Sequence, residues 1–498
     1  MQKTSSNHRS PSIVTSRRRR GQKGIAVLIT AIMMLLALPM MGLMLDSTLL
    51  FIIKARLQAS VDAAALAGAR GLARGADGAA QITSAQTAAA NAVHLNIADN
   101  SFFGGTVTVP TPAVGLGVAF QRTVTVSASV VFPGMILKYI SGPTTVNASA
   151  AVTRKDVNVV MVIDRSGSLT ASGSCGGVQA AAANFVDQFA PARDNVGLVT
   201  FASSAYVNFP IANTFASATP TVKTLISNMV CAGSTSSAMA LWKGYDQLVS
   251  LNEPGALNVL LFFTDGQPTG VTLKMPVANG SPCTAFTAGN APNPGGYTLP
   301  AGSKGYLTGV LNTFTNSNQF FGLLDYAGSQ TPPNGDLVRA PNYAGCNFAS
   351  GWANDGGVHN MTDTSDFVAV PVTDIYGSSL NNGYQLVTMS GTMIDVNNDN
   401  NAPAIALNAA DDAAARIRAG AVDSAYGRGL SNVLILSIGL GTATIPASDD
   451  FLERVSNDAR SSIYDSTKPT GHYYDAPTLA DLEPAFEQVA SEILRLAK

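Results

Sequence analysis

The sequence predicts an α/β fold, a doubly wound parallel sheet with a long insertion, preceded by an N-terminal transmembrane helix and a small α+β module. Three observations lead there. From Asp156 onward, apolar strand segments alternate with helical ones, the pattern that builds parallel sheets through right-handed crossovers. Two of the strands, VNVVMVID (157–164) and ALNVLLFFTD (256–265), are continuous apolar runs, as strands covered on both faces require. Near the start, residues 25–45 read IAVLITAIMMLLALPMMGLML, 21 residues without a charge. As a helix they span about 30 Å, the thickness of a bilayer's hydrocarbon core.

In chain order, residues 1–24 come first and hold seven Lys/Arg and no Asp/Glu, with Arg17, Arg18, Arg19 and Arg20 in one block. Beside an apolar run such a block sets membrane topology and keeps its own side in the cytoplasm. The other 474 residues carry 23 basic and 32 acidic side chains. An acidic body of this kind disfavours nucleic-acid binding. Beyond the apolar run, residues 46–100 continue as an Ala-rich helical stalk. Ile53, Leu57 and Val61 recur there at four-residue spacing and mark one apolar face. Gly71, Gly75 and Gly78 interrupt it before a second helix at about 79–96. In 101–155 the segments TVTVP, RTVTVSASVVF and TTVNASAAV are alternating or β-branched, which predicts a β-rich linking module.

The main α/β domain falls in two parts, 156–267 and 403–498. Its first part predicts strands at 157–164, 195–202, 206–211 (an edge strand) and 256–265, with helices near 177–190, 220–229 and 236–250. Its second part predicts a helix at 404–419, a strand at 432–440, a helix near 448–458, a short HYYDA segment and a final helix over 478–497. Between them, 268–402 is rich in Asn, Gly, Pro and Thr, with three basic and eight acidic residues. It is too long for a simple connection and reads as an inserted, loop-rich subdomain.

The four cysteines, Cys175, Cys231, Cys283 and Cys346, form no CxxC pair, so neither a zinc nor a redox motif is indicated. An even number in an exported region permits two disulfides. Cys175 follows the loop after the first strand, and Cys231 precedes Thr235. Both loops belong at one edge of the sheet, within bonding reach of each other. Of the three pairings possible, Cys175 with Cys231 and Cys283 with Cys346 is therefore favoured.

The same edge gathers the chemistry. The first strand ends in Asp164, Arg165, Ser166, Gly167 and Ser168; the strand at 256–265 ends in Asp265; Gly233, Ser234 and Thr235 lie between them in sequence. Open α/β sheets bind ligands outside the carboxyl ends of their strands. Two carboxylates and three hydroxyls converging there are hard oxygen ligands, suited to Mg²⁺ or Mn²⁺. So few protein oxygens leave a coordination position open to an outside carboxylate.

A DxSxS motif ending an apolar strand, a distal Thr in a Gly/Ser loop and a TDG ending another strand resemble the von Willebrand factor type A family. DNVGLVTF (194–201) and the ending YDAPTLADLEPAFEQVASEI (474–493) are similar too. The resemblance covers about 156–267 and 403–498, and it implies a Rossmann-like type A fold with a metal-ion-dependent adhesion site (MIDAS). By that resemblance Ser166, Ser168 and Thr235 ligate the metal directly, while Asp164 and Asp265 act through water. Residues 20–72, with the basic start, Gly24 and LQASVDAAALAGAR (57–70), resemble the TadE/TadG-like proteins of bacterial tight-adherence (Flp) pilus systems. One position departs from pilin-like relatives: Ile29 stands where they carry a Glu five residues after their cleavage glycine.

These readings imply a non-enzymatic binding protein, single-pass in a bacterial inner membrane, with its N-terminus cytoplasmic and its main domain periplasmic or extracellular. It would act in pilus assembly or adhesion, engaging an Asp or Glu carboxylate of a protein partner, such as a pilus or envelope component, through the bound cation. A surface adhesin that contacts a host or an abiotic surface is the alternative. A metal-dependent hydrolase is disfavoured, because no His or Glu is placed by the motifs as a general base.

Overall fold

The computed structural model describes residues 23–75, 78–97, 102–116, 120–140, 142–277, 305–312, 319–322, 369–396, 401–423, 425–441 and 448–497. The chain divides into two compact units.

The first unit contains the described residues up to Ala65, with Ala90–Pro112 and Val126–Ala150. Helix α1 (Lys23–Gly71) starts it and runs without a break through the apolar segment. Ala, Leu and Met are strong helix formers, so the run has no reason to stop at the last uncharged residue. Its side chains from Ile25 to Leu45 are mostly exposed, and the helix is long and apolar enough to cross a membrane. Beyond that point Ile53, Leu57 and Val61 are fully buried, on the face that their spacing marks. Asn96 ends helix α2 (Gly78–Asn96), and strand β1 (Thr106–Thr108) follows.

The second unit holds Leu66–Ala89, Ala113–Thr125 and Ala151–Lys498. Small residues let the end of α1 and the start of α2 approach closely. A Cβ on Gly71 would meet the Ala85 Cα at 2.7 Å. Strand β2 (Ala113–Leu116), absent from the expected elements, pairs antiparallel with β3 (Gln121–Phe132). A four-residue strand, AVGL, carries too little alternation to be read from sequence. β3 also pairs with β1, and after the single turn α3 (Leu137–Ile140) it pairs with β4 (Thr144–Lys155).

The α/β domain begins with β5 (Val157–Asp164), whose eight residues are all buried. It continues through α4 (Gly167–Ala171), α5 (Cys175–Val186), β6 (Asn195–Phe201), β7 (Ala205–Ala212), α6 (Val222–Ser227), α7 (Ser237–Leu251) and β8 (Leu257–Thr264). The inserted region supplies β9 (Gly270–Val277), β10 (Gly305–Asn312), β11 (Gln319–Gly322), β12 (Ala369–Val370), β13 (Met389–Ser390) and β14 (Met393–Asp395). Then come α8 (Asn401–Arg418), β15 (Leu434–Leu440), α9 (Asp449–Ser456), β16 (Tyr473–Ala476) and α10 (Leu479–Leu496).

The main sheet has the order β16-β15-β8-β5-β6-β7. Every pairing in it is parallel except β6 with β7. The expected parallel sheet is thus mixed at one edge. Only residues 202–204 separate β6 from β7, enough for a hairpin and far too few for a parallel crossover. Strand order reverses between β5 and β8, which makes the carboxyl ends of these two strands the switch point of the fold.

Each face of the sheet is covered. Val160, Val162, Leu260 and Phe262 pack with α7, α8 and α9 on one face; Val159, Met161, Ile163, Leu261 and Phe263 pack with α5, α6 and α10 on the other. Alternation of side chains along a strand dictates this division. The described residues of the inserted region hold two small sheets. β9, β10 and β11 form one antiparallel sheet and β12, β13 and β14 another. Val271, Leu273, Leu311, Val370, Leu380, Ile394 and Val396 join the core on the α7 and α8 face. Apolar residues spread this thinly among Gly, Pro and Asn leave no periodic signature. Cys283 and Cys346 lie outside the described residues.

Candidate functional site

The site forms where β5 and β8 end side by side. Asp164 is the last residue of β5 and is fully buried. One of its oxygens accepts the Ser166 amide at 2.7 Å; the other accepts the Thr264 hydroxyl at 2.6 Å. Ser166 caps α4 with an extended backbone, which turns the chain sharply and returns Ser168 towards β8. The Ser166 and Ser168 hydroxyls lie 2.9 Å apart. Both donate to the same oxygen of Asp265, at 3.3 Å and 2.8 Å. Residues 99 positions apart in sequence thus become direct partners.

Thr235 belongs to a third segment, hung beside the first by main-chain contacts. The Gly167 amide donates to the Gly233 carbonyl at 2.9 Å, and the Ala232 amide to the Arg165 carbonyl at 2.8 Å. Gly233 has φ 97°, a conformation that a residue with a Cβ adopts only under strain. Ser203 receives the Ser234 amide at 2.8 Å and its carbonyl accepts the Ser236 hydroxyl at 2.6 Å. The Thr235 amide donates to Thr269 Oγ1 at 3.0 Å. The structure therefore joins Asp164, Ser166, Ser168 and Asp265 into one network through the Ser166 amide and the serine hydroxyls, with Thr264 holding the other Asp164 oxygen. Thr235 is set in the adjoining loop, outside those hydrogen bonds.

Electrostatics set these carboxyls apart. Burial pushes Asp164 well above the ordinary carboxylate range, and the Asp265 charge beside it adds to the rise. Burial raises Asp265 as well, against the lowering effect of the Ser168 and Ser166 hydroxyls. A bound divalent cation reverses such an effect, because its charge favours the ionised form of both groups. The donors are all oxygens, a set that suits Mg²⁺ or Mn²⁺. Among the described residues no cluster of three or more His, Cys, Asp or Glu side chains could hold a metal ion. Hydroxyls would have to complete the coordination here.

A disulfide steadies the loop. Cys175, at the start of α5, is bonded to Cys231, with Cα atoms 6.2 Å apart. Thr170 Oγ1 donates to the Cys231 carbonyl at 2.6 Å, and Gln179 to the Met229 carbonyl. Sequence reasoning placed this bridge but missed Thr264, Ser203 and Thr269 as supports. Thr264 had a signal, a hydroxyl residue directly before Asp265 at a strand end. Ser203 and Thr269 had none, since only the folded loops bring them near.

Comparison with known proteins agrees with this architecture. Residues 158–292 match the family model of the von Willebrand factor type A domain. The chain carries a type A domain. Residues 24–71 match the model of the putative Flp pilus-assembly TadE/G-like family, so the type A domain follows a TadE/G-like segment that contains the long apolar helix. No curated protein matches the chain significantly. Among solved structures, the pilus adhesin SpaC from Lactobacillus rhamnosus GG is 12% identical with a TM-score of 0.35, over 78% of this chain and 35% of that one. The chain thus spans about a third of the length of SpaC. The PilB minor pilin from Streptococcus sanguinis is 11% identical with a TM-score of 0.35, over 79% of each chain. The vWF domain of the type V pili tip protein Mfa5 from Porphyromonas gingivalis is 15% identical with a TM-score of 0.35, over 69% of this chain and 97% of that one.

Proposed function

We propose that this chain is a membrane-anchored binding protein of pilus assembly or adhesion. Its type A domain would hold Mg²⁺ or Mn²⁺ and engage an acidic group of a protein partner. Ser166, Ser168 and Thr235 would supply hydroxyl ligands; Asp164 and Asp265 would supply the negative charge. The observation that carries this reading is the shared hydrogen bonding of Ser166 and Ser168 to Asp265 beside the buried Asp164, at the switch point of the sheet. Bound there, the cation supplies a Lewis-acidic position for an outside carboxylate oxygen. The chain's own part is to hold five oxygen-bearing side chains in place and to keep two carboxylates together that would otherwise repel. No general base is part of the reading, so the role is binding and not catalysis. The basic block at residues 17–20 supports a cytoplasmic N-terminus in a bacterial inner membrane, with the type A domain on the opposite side.

Calorimetric titration of Mg²⁺ and Mn²⁺ into the detergent-solubilised, EDTA-washed chain tests this. Binding to the wild type and its loss in Asp164→Ala are the expected results. Equal binding by both proteins refutes the site.

A further inference from the structure

Residues 133–140 (PGMILKYI) form a short ledge ending in the single turn α3. Phe132 before it is buried, yet the ledge turns its own apolar side chains outward: Met135 is 59% exposed, Tyr139 79% and Ile140 65%. Two contacts fix its height along α1. The buried Asp46 accepts three successive backbone amides, Met135 and Ile136 at 2.8 Å and Leu137 at 2.7 Å. One turn earlier on α1, Ile136 lies directly against Gly42, where a Cβ would collide with it. Residue 42 lies inside the uncharged run 25–45, three positions from its end, which is about 4–5 Å along the helix axis. A segment pinned to that turn shares its depth.

We propose that residues 133–140 are a second membrane contact, with Met135, Tyr139 and Ile140 entering the interfacial layer of the lipid bilayer beside the point where α1 leaves it. The proposal rests on the membrane-anchor reading of α1. Its chemistry suits that layer. Tyrosine prefers the boundary, where its ring is apolar and its hydroxyl reaches water. Lys138 is exposed, with its Nζ 4.9 Å from the Tyr139 ring centroid. Its stem lies along apolar surface while its ammonium reaches lipid headgroups. The amides that open the turn are already bonded to Asp46, so they do not meet lipid unpaired, and the Asp46 charge is spread over three donors. A ledge of this size adds no span. It fixes the tilt and rotation of α1 at the surface, as interfacial anchors do.

The full chain, reconstituted into phosphatidylcholine vesicles doped with a diazirine-bearing phospholipid, gives the test. After irradiation, adducts are mapped by peptide mass spectrometry. Adducts are expected on 25–45 and on 133–140. Replacing Met135, Tyr139 and Ile140 together by Ser is expected to abolish the second set and leave the first. Wild-type adducts on 25–45 alone overturn the proposal, keep the anchor, and leave the ledge to a second copy or a protein partner. Absence of adducts on 25–45 overturns the anchor reading and the proposal with it. Labelling of 133–140 that persists in the Ser variant, or that spreads equally to exposed Leu386 and Val422, also overturns it.

Discussion

Replacing Asp265 by Asn separates a metal site from a purely structural network, because the two readings predict opposite signs. The Asn side chain keeps an oxygen where Asp265 accepts Ser168 at 2.8 Å and Ser166 at 3.3 Å. The hydrogen bonds, each worth about 1 kcal/mol, are therefore largely conserved. What disappears is a negative charge that raises the buried Asp164. Without metal, Asp265→Asn should match or exceed the wild type in thermal stability. With metal the order reverses. A cation present at a hundred times its dissociation constant stabilises the wild type by about 2.7 kcal/mol. For residues 156–498, at about 2.1 cal/mol/K per residue, that raises Tm by roughly 4 °C. The variant, lacking one of two carboxylates, should gain little. Differential scanning fluorimetry of EDTA-washed protein, with and without 10-fold steps of Mg²⁺, measures both quantities. An equal Tm rise in variant and wild type would refute the reasoning, as would a variant that is several degrees less stable without metal.

Other consequences follow from the fold. The Cys175–Cys231 bridge spans 56 residues of sequence, and loop-closure entropy assigns it about 4 kcal/mol. Replacing both cysteines by Ser should lower chemical stability by about 2–4 kcal/mol in urea titrations and weaken Mg²⁺ binding, since the bridge holds the Thr235 loop. Gly244 lets α7 sit close on the sheet, because a Cβ there meets Val162 Cγ2 at 2.6 Å and Leu260 Cδ1 at 3.1 Å. Gly244→Leu should cost about 1–3 kcal/mol or more by overpacking, read as a fall in Tm. Asp246 is pushed up to about 8, first by burial and then by its hydrogen bond with Asp423 and that group's charge. A carboxyl with a raised folded value binds more protons folded than unfolded, so stability falls as pH rises from about 4 to about 8. Asp246→Asn should remove that loss: its Tm advantage over the wild type should grow between pH 4 and pH 8.5, and an advantage independent of pH contradicts the assignment.

Much of this was legible in the chain itself because the signals are local and repeated. Continuous apolar runs as short and β-branched or aromatic as 157–164 and 256–265 read as strands buried on both faces, and the structure buries all eight residues of β5. The DxSxS and TDG motifs sit at strand ends, and strand ends in an open α/β sheet meet at one edge. This also brought Cys175 and Cys231 within reach of each other. The spacing of Ile53, Leu57 and Val61 marked a buried helix face for the same reason, since 3.6 residues per turn leave no freedom about which side faces in.

What the sequence withheld depends on distance or on direction. The antiparallel course of β7 follows from a connection of three residues, a length already implied by the expected strands 195–202 and 206–211, but the apolar pattern of an edge strand does not itself encode polarity. Two supports of the site, Ser203 on Ser234 and Thr269 on Thr235, are hydroxyls whose roles exist only once the loops are stacked. Val370, Leu380 and Ile394 join the core from a Gly-, Asn- and Pro-rich stretch whose composition reads as loop. Burial of isolated apolar residues is decided by the surface they land on and not by their neighbours in sequence. The rise in the pKa of Asp164 is of the same kind: burial in the folded domain causes most of it, and the charge of Asp265, 101 residues away in sequence, adds to it. Local pattern thus determined the elements and their ends, and only tertiary packing decided which charges and hydroxyls would face one another there.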